Sequence, residues 1–146
     1  MAEILRGKGY TGGVVEAEAI VSEKPFGFWQ GIDTDTGVIK DRRHDRCGES
    51  IKGKVFIYPY GRGSTANSGV FIEAVRNKVA PVALVNRQTE PMNIVSAILA
   101  EEFFGVKTPV LDGLEPDPIR TVRTGDLVRV DGGKGTLEIV RRKEGA

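Results

Sequence analysis

The residue types best suited to chemistry lie in the stretch YPYGRGSTANSGVF, positions 58 to 71. Gly61, Arg62, Gly63, Ser64 and Thr65 place two glycines, a guanidinium and two hydroxyls in consecutive positions. The apolar run Val55 to Ile57 precedes them, and apolar residues at helical spacing follow. A loop between a strand and a helix gathers backbone N–H groups and the positive end of a helix dipole, a combination that favours an anion. Arg62 would serve a phosphate or a carboxylate equally well. An ordinary strand-to-helix turn is the plain alternative. No Gly-Lys-Ser/Thr follows at the spacing of a Walker A loop, and Arg62 stands where a nucleophile elbow requires glycine.

Other stretches imitate sites less closely. Asp131-Gly132-Gly133-Lys134-Gly135-Thr136 joins two alternating strands, which makes it a hairpin turn rather than a phosphate loop. Asp33-Thr34-Asp35-Thr36-Gly37 resembles the start of an EF-hand loop, but its glycine comes one place early and His44 stands where the bidentate Glu belongs. The run Asp41 to Cys47 holds the chain's one histidine and one cysteine among dense charge. A solvated loop is the default for such a run, and the rim of a binding site or interface is the alternative. His44 and Cys47 make a poor pair of metal ligands with no second pair to complete them.

These groups need a scaffold. A chain of 146 residues fits one domain across 1–146 and can bury about 70% of its unfolded surface. One cysteine excludes an internal disulfide, and with no apolar leader in MAEILRGKGY a cytoplasmic protein is expected. No apolar run approaches the roughly 18 residues of a membrane helix. Lys and Arg number 21 against 20 Asp and Glu, so there is no basic field to attract nucleic acid.

Residues 13 to 21 alternate, putting Val15, Ala17, Ala19 and Val21 on one face of a strand. FGFWQGIDTDTGVIK reads as a hairpin or long turn. Lys54 to Pro59 is a buried strand. A helix follows from Ser68, capped by Asn67 or Ser68, with Val70, Phe71, Ala74 and Val75 inward and Ala80-Pro81 closing it. Val82 to Val85 is a strand. Thr89, Glu90 and Pro91 open a second helix, whose Met92, Val95, Ile98, Leu99 and Phe103 share a face until Gly105. Thr108 to Leu111 is another strand, Glu115 to Pro118 a surface loop, and DLVRVDGGKGTLEIV a terminal hairpin. Two helices cannot cover both faces of a wide parallel sheet. The expected fold is therefore mixed α/β, a curled or barrel-like mixed sheet with two main helices to one side.

Four pieces in order, Phe28-Trp29-Gln30-Gly31-Ile32-Asp33 with Thr36-Gly37, Gly48-Glu49-Ser50, Gly61-Arg62-Gly63-Ser64-Thr65, and Val79-Ala80-Pro81, resemble the small subunit of aconitase X hydro-lyases over most of the chain. The resemblance implies a swivelling β/β/α domain that closes over a large subunit, the joint site removing water from a small anionic hydroxy acid. Members of that family dehydrate 5-phosphomevalonate or cis-3-hydroxy-L-proline. The family's proton-abstracting serine falls on Ser64, with Arg62, Gly63 and Thr65 shaping the anion pocket. The iron-sulfur or iron centre that assists the leaving hydroxide belongs to the large subunit, so no cofactor or metal is expected on this chain. Ala66-Asn67 replaces a glycine of the family pattern, and Asn tolerates a left-handed backbone best among non-glycine residues. Gln30 likewise stands where a second glycine is common. Phe26, Phe28 and Trp29 suggest a partner-facing surface, with core packing as the alternative.

Two rivals from other classes stand beside this reading. One is a non-catalytic phosphate- or carboxylate-binding module built on the same loop. The other is a serine hydrolase pairing Ser64 with His44.

Overall fold

In a computed structural model, which describes residues 3–144, seven strands close into a barrel in the order β1-β5-β4-β3-β2-β6-β7. The strands are β1 (Glu3–Thr11), β2 (Val14–Val21), β3 (Val55–Tyr58), β4 (Ala83–Asn86), β5 (Val110–Glu115), β6 (Leu127–Asp131) and β7 (Thr136–Arg141). From β2 through β3 and β4 to β5 the pairing is parallel. Every other pairing, β1 with β5 and β7, β2 with β6 and β6 with β7, is antiparallel.

The two-residue period of the parallel strands divides the core. Val55 and Ile57 of β3, Ala83 and Val85 of β4, and Leu111 of β5 join one cluster with Leu5, Val128, Val130 and Leu137 inside the barrel. Phe56, Tyr58, Leu84 and Val110 point the other way, into a second cluster beneath the helices α1 (Ala66–Arg76) and α2 (Pro91–Phe104). Strands covered on both faces read as unbroken apolar runs, which is why β3 and β4 are visible in the sequence. The barrel-like sheet with two main helices is as expected.

Several details differ from expectation. β1 has no forerunner in the sequence reading, because Leu5 is its one fully buried residue and charged or half-exposed residues fill the rest. Glu115 to Pro118 is not simply a surface loop. Glu115 ends β5, and Pro118 opens a short helix, α3 (Pro118–Thr121), whose Ile119 joins the barrel core while the Asp117 carboxylate caps its start. α2 begins and ends where expected, with Glu90 capping Pro91 and a left-handed Gly105 as stop. Its inward face is different: Asn93, Ser96, Ala97 and Ala100 are buried, whereas Ile98 and Phe103 stand exposed. Small residues let α2 approach closely, and Asn93 is admitted by its bonds from Nδ2 to the Tyr58 hydroxyl (3.0 Å) and Asn86 Oδ1 (2.9 Å).

Candidate functional site

β3 delivers its chain end to the top of the parallel strands, where the backbone breaks at Pro59 and the glycine loop begins. The loop is held by the aromatic segment that sequence alone could not place beside it. Phe26 and Gly61 form a parallel bridge, and the Arg62 N–H donates to the Phe26 carbonyl at 3.1 Å. Gly27 allows this approach, since a Cβ there would lie 2.4 Å from the Arg62 carbonyl oxygen. Gly63 has a φ of 112°, and a Cβ on it would meet Asn67 Nδ2 at 2.9 Å, so both conformation and clearance require glycine.

Asn67 is the clamp of this junction. Its Oδ1 accepts the Trp29 N–H at 2.8 Å, and its Nδ2 donates to the Arg62 carbonyl at 2.8 Å. It is neither a left-handed residue nor a helix cap, as the sequence suggested. α1 starts one residue before it, with Thr65 at the N-cap position and no side-chain capping bond. Ser68 is no cap either, because its hydroxyl donates to the Thr65 carbonyl at 2.9 Å. The left-handed turn falls instead at Gly63, and also at Gln30, whose φ of 66° is the conformation a glycine would take there.

The aromatic group divides. Phe26 and Phe28 are buried, stacked edge to face at 5.1 Å, with Phe28 against Phe71 at 5.1 Å. They are core, because their rings fill the space between β3 and α1. Trp29 is 51% exposed and faces a cleft of about 420 Å³ that Gln30, Asp41, Arg43, Arg62 and Gly63 also line. Arg62 reaches Asp41 Oδ2 at 3.2 Å while its side chain stays 56% exposed. Ser64 and Thr65 are exposed at the opening of α1 and do not line that cleft. The Ser64 Oγ accepts the Ala66 N–H at 3.3 Å.

The charged run is not a free solvated loop. His44 is buried, with its ring edge-on to Phe26 at 5.4 Å. Its Nδ1 accepts the Arg46 N–H at 3.1 Å, so Nε2 carries the proton and faces Ser22 Oγ at 3.1 Å. The fully buried Ser22 hydroxyl donates to Asp45 Oδ1 at 2.6 Å. His44 is thus committed to Ser22 and its own loop rather than to Ser64, which removes the hydrolase pairing. Burial holds the His44 imidazole below its ordinary value, against the opposing pull of Asp45 and Asp41. The outcome is a neutral anchor that sets Asp41 and Arg43 at the cleft, the rim arrangement weighed from the sequence.

Among the described residues no three His, Cys, Asp or Glu side chains are grouped to hold a metal ion, and Cys47 is exposed. No helix among them is long and apolar enough to cross a membrane.

A mixed barrel with a glycine loop at its parallel end, facing a cationic cleft, describes a swivel-type domain. The chain belongs to the aconitase X swivel domain family, which it matches over residues 4–139. It is 37% identical to the phosphomevalonate dehydratase small subunit of Methanosarcina acetivorans, over 95% of this chain and 92% of that one. To the protein of the same name in Pyrococcus abyssi it is 41% identical, over 93% of this chain and 98% of the relative. The holo-form crystal structure of Thermococcus kodakaraensis aconitase X superposes with a TM-score of 0.85 at 35% identity, covering 95% of this chain and 99% of that one.

Proposed function

We propose that this chain is the small subunit of a two-subunit dehydratase acting on 5-phosphomevalonate, and that Ser64 is its general base. The names of the curated relatives support the substrate and the large partner. The observation that carries the chemistry is the exposed Ser64 hydroxyl on the β3–α1 loop, two positions from a guanidinium that lines the neighbouring cleft.

Dehydration takes a proton from the carbon next to the carbinol carbon, turns that C–H pair into the C=C bond and expels hydroxide. An alcohol in water is too weak a base for this step. At Ser64 the alkoxide would be stabilised by the Ala66 N–H already directed at Oγ, by the start of α1 and by Arg62. Closure of a large subunit over the exposed loop would remove the water that now surrounds it and strengthen each of these interactions. The departing hydroxide needs a Lewis acid, and an iron or iron-sulfur centre supplies one. A single exposed cysteine cannot supply the several thiolates a cluster takes, which supports a reading in which the large subunit would hold the centre. This chain's share is to bind the anionic substrate and take the proton.

The test is reconstitution. With 5-phosphomevalonate supplied, dehydration is expected when this chain and its large subunit are combined, and from neither alone. Turnover by the isolated chain would defeat the two-subunit reading, and turnover of cis-3-hydroxy-L-proline in preference to the phosphorylated acid would change the substrate.

A further inference from the structure

Two clefts meet at the glycine loop and share Asp41, Arg43 and Arg62 as a common wall. The second, about 370 Å³, adds Lys24, Pro25 and His44. Its charges are unequal: three cations, Lys24, Arg43 and Arg62, face one carboxylate, and His44 is held neutral. That carboxylate is already committed. Asp41 Oδ2 pairs with Arg62 at 3.2 Å and Oδ1 accepts the Arg43 N–H at 3.0 Å. Among the described residues neither the Lys24 ammonium nor the Arg43 guanidinium is in a salt bridge.

The backbone segments that carry these two exposed cations are held in place. The Lys24 N–H donates to Ser22 Oγ at 3.0 Å, and the same oxygen meets the buried His44 ring. The His44 N–H donates to the Asp41 carbonyl at 3.0 Å, fixing the turn that carries Arg43. The Ser22–His44–Asp45 knot thus ties the Lys24 and Arg43 segments together beside Arg62.

We propose that Lys24 and Arg43, with Arg62, form the subsite for the phosphate of the substrate. The inference rests on the reading of this chain as a subunit acting on a phosphorylated hydroxy acid, and deepens it by naming the residues that select for phosphorylation. A phosphate monoester carries close to two negative charges near neutrality and three acceptor oxygens, which matches a cleft with two unpaired cations and a third shared one. A zwitterionic imino acid has no net charge to answer that excess. Arg43 supplies the planar, two-pronged donor and Lys24 a mobile point charge.

In the reconstituted enzyme, Arg43→Gln is expected to raise KM for 5-phosphomevalonate about tenfold or more, with the loss falling on KM rather than kcat. Lys24→Gln should have a smaller effect in the same direction, and Arg43→Lys should recover part of the loss. Inorganic phosphate titrated into the full chain alone, followed by amide chemical shifts, gives a readout that needs no turnover. Saturable shifts at Lys24, Arg43 and His44 are expected, weakened about tenfold in Arg43→Gln. If phosphate leaves those amides unmoved, or if both glutamine variants keep the wild-type KM, the subsite is wrong. If phosphate binds there but the two-subunit enzyme does not dehydrate 5-phosphomevalonate, the dehydratase reading fails and the subsite stands.

Discussion

Ser64 differs from its neighbouring hydroxyls by one proposed duty, and a single oxygen deletion separates them. Ser64→Ala removes an exposed group with one hydrogen bond, so stability should change by no more than about 0.5 kcal/mol. A general base commonly contributes about 10² to 10⁴-fold, and kcat of the two-subunit enzyme is expected to fall by that order. Thr65→Ala and Ser68→Ala should lose far less, since Ser68 only returns a bond to the Thr65 carbonyl. Retained activity in Ser64→Ala with collapse in the Thr65 variant would move the base by one residue. At this scale the sequence pointed to Arg62, Gly63, Ser64 and Thr65 as candidates, because consecutive residues of unusual type announce themselves. It offered Arg43 only within the Asp41 to Cys47 run, as the rim of a site, and gave no sign of Lys24 or of the clamping role of Asn67. Lys24 and Arg43 precede Arg62 by 38 and 19 residues; the folding of the 22 to 46 segment onto the loop brings them beside it, and no local pattern encodes that approach.

Between elements, Asn67 joins the first turn of α1 to both the Arg62 backbone and the Trp29 backbone. Asn67→Ala would leave a donor and an acceptor unpaired in a largely buried junction, at a cost of roughly 1–3 kcal/mol. Urea unfolding should show the loss as a lower midpoint with an unchanged slope. Asn67→Asp keeps the acceptor for Trp29 but sets a carboxylate oxygen against the Arg62 carbonyl, and should not restore wild-type stability. A midpoint unchanged by the alanine would mean the clamp contributes nothing. The same residue illustrates how element boundaries escape the sequence: Asn at a helix start favours a capping role by propensity, yet tertiary partners recruit its amide here. α2 fails differently. Apolar residues surround most of it, so their spacing defines a helix without defining which side faces inward. The small Ala97 and Ala100 settle the matter through packing.

Across the whole molecule, titrating groups link the charged loop and the barrel to pH in two separate windows. Burial depresses the His44 value from 6.5, so the folded chain disfavours protonation that the unfolded chain accepts. Its contribution is complete above about 6.5 and declines as pH falls below that value. Asp45, Asp117 and Asp126 lie in a lower window. Burial pushes each upward, but hydrogen bonds win: from Ser22 and Glu23 to Asp45, from Arg87 and Ile119 to Asp117, and from Arg123, Lys143 and Arg142 to Asp126. With all three carboxyls held below 3.8, their stabilisation is present above that value and lost as pH falls through the depressed values. Stability measured by urea unfolding should therefore decline in two steps, a first below about 6.5 and a second below about 4. His44→Gln cannot titrate and should lose only the first step, at the cost of lower stability near neutrality because the ring's packing on Phe26 and Phe56 is gone. Amide exchange should place that first step at the 41 to 47 segment and leave the barrel protected. A single acid transition shared by the wild type and the glutamine variant would show that His44 does not anchor the loop.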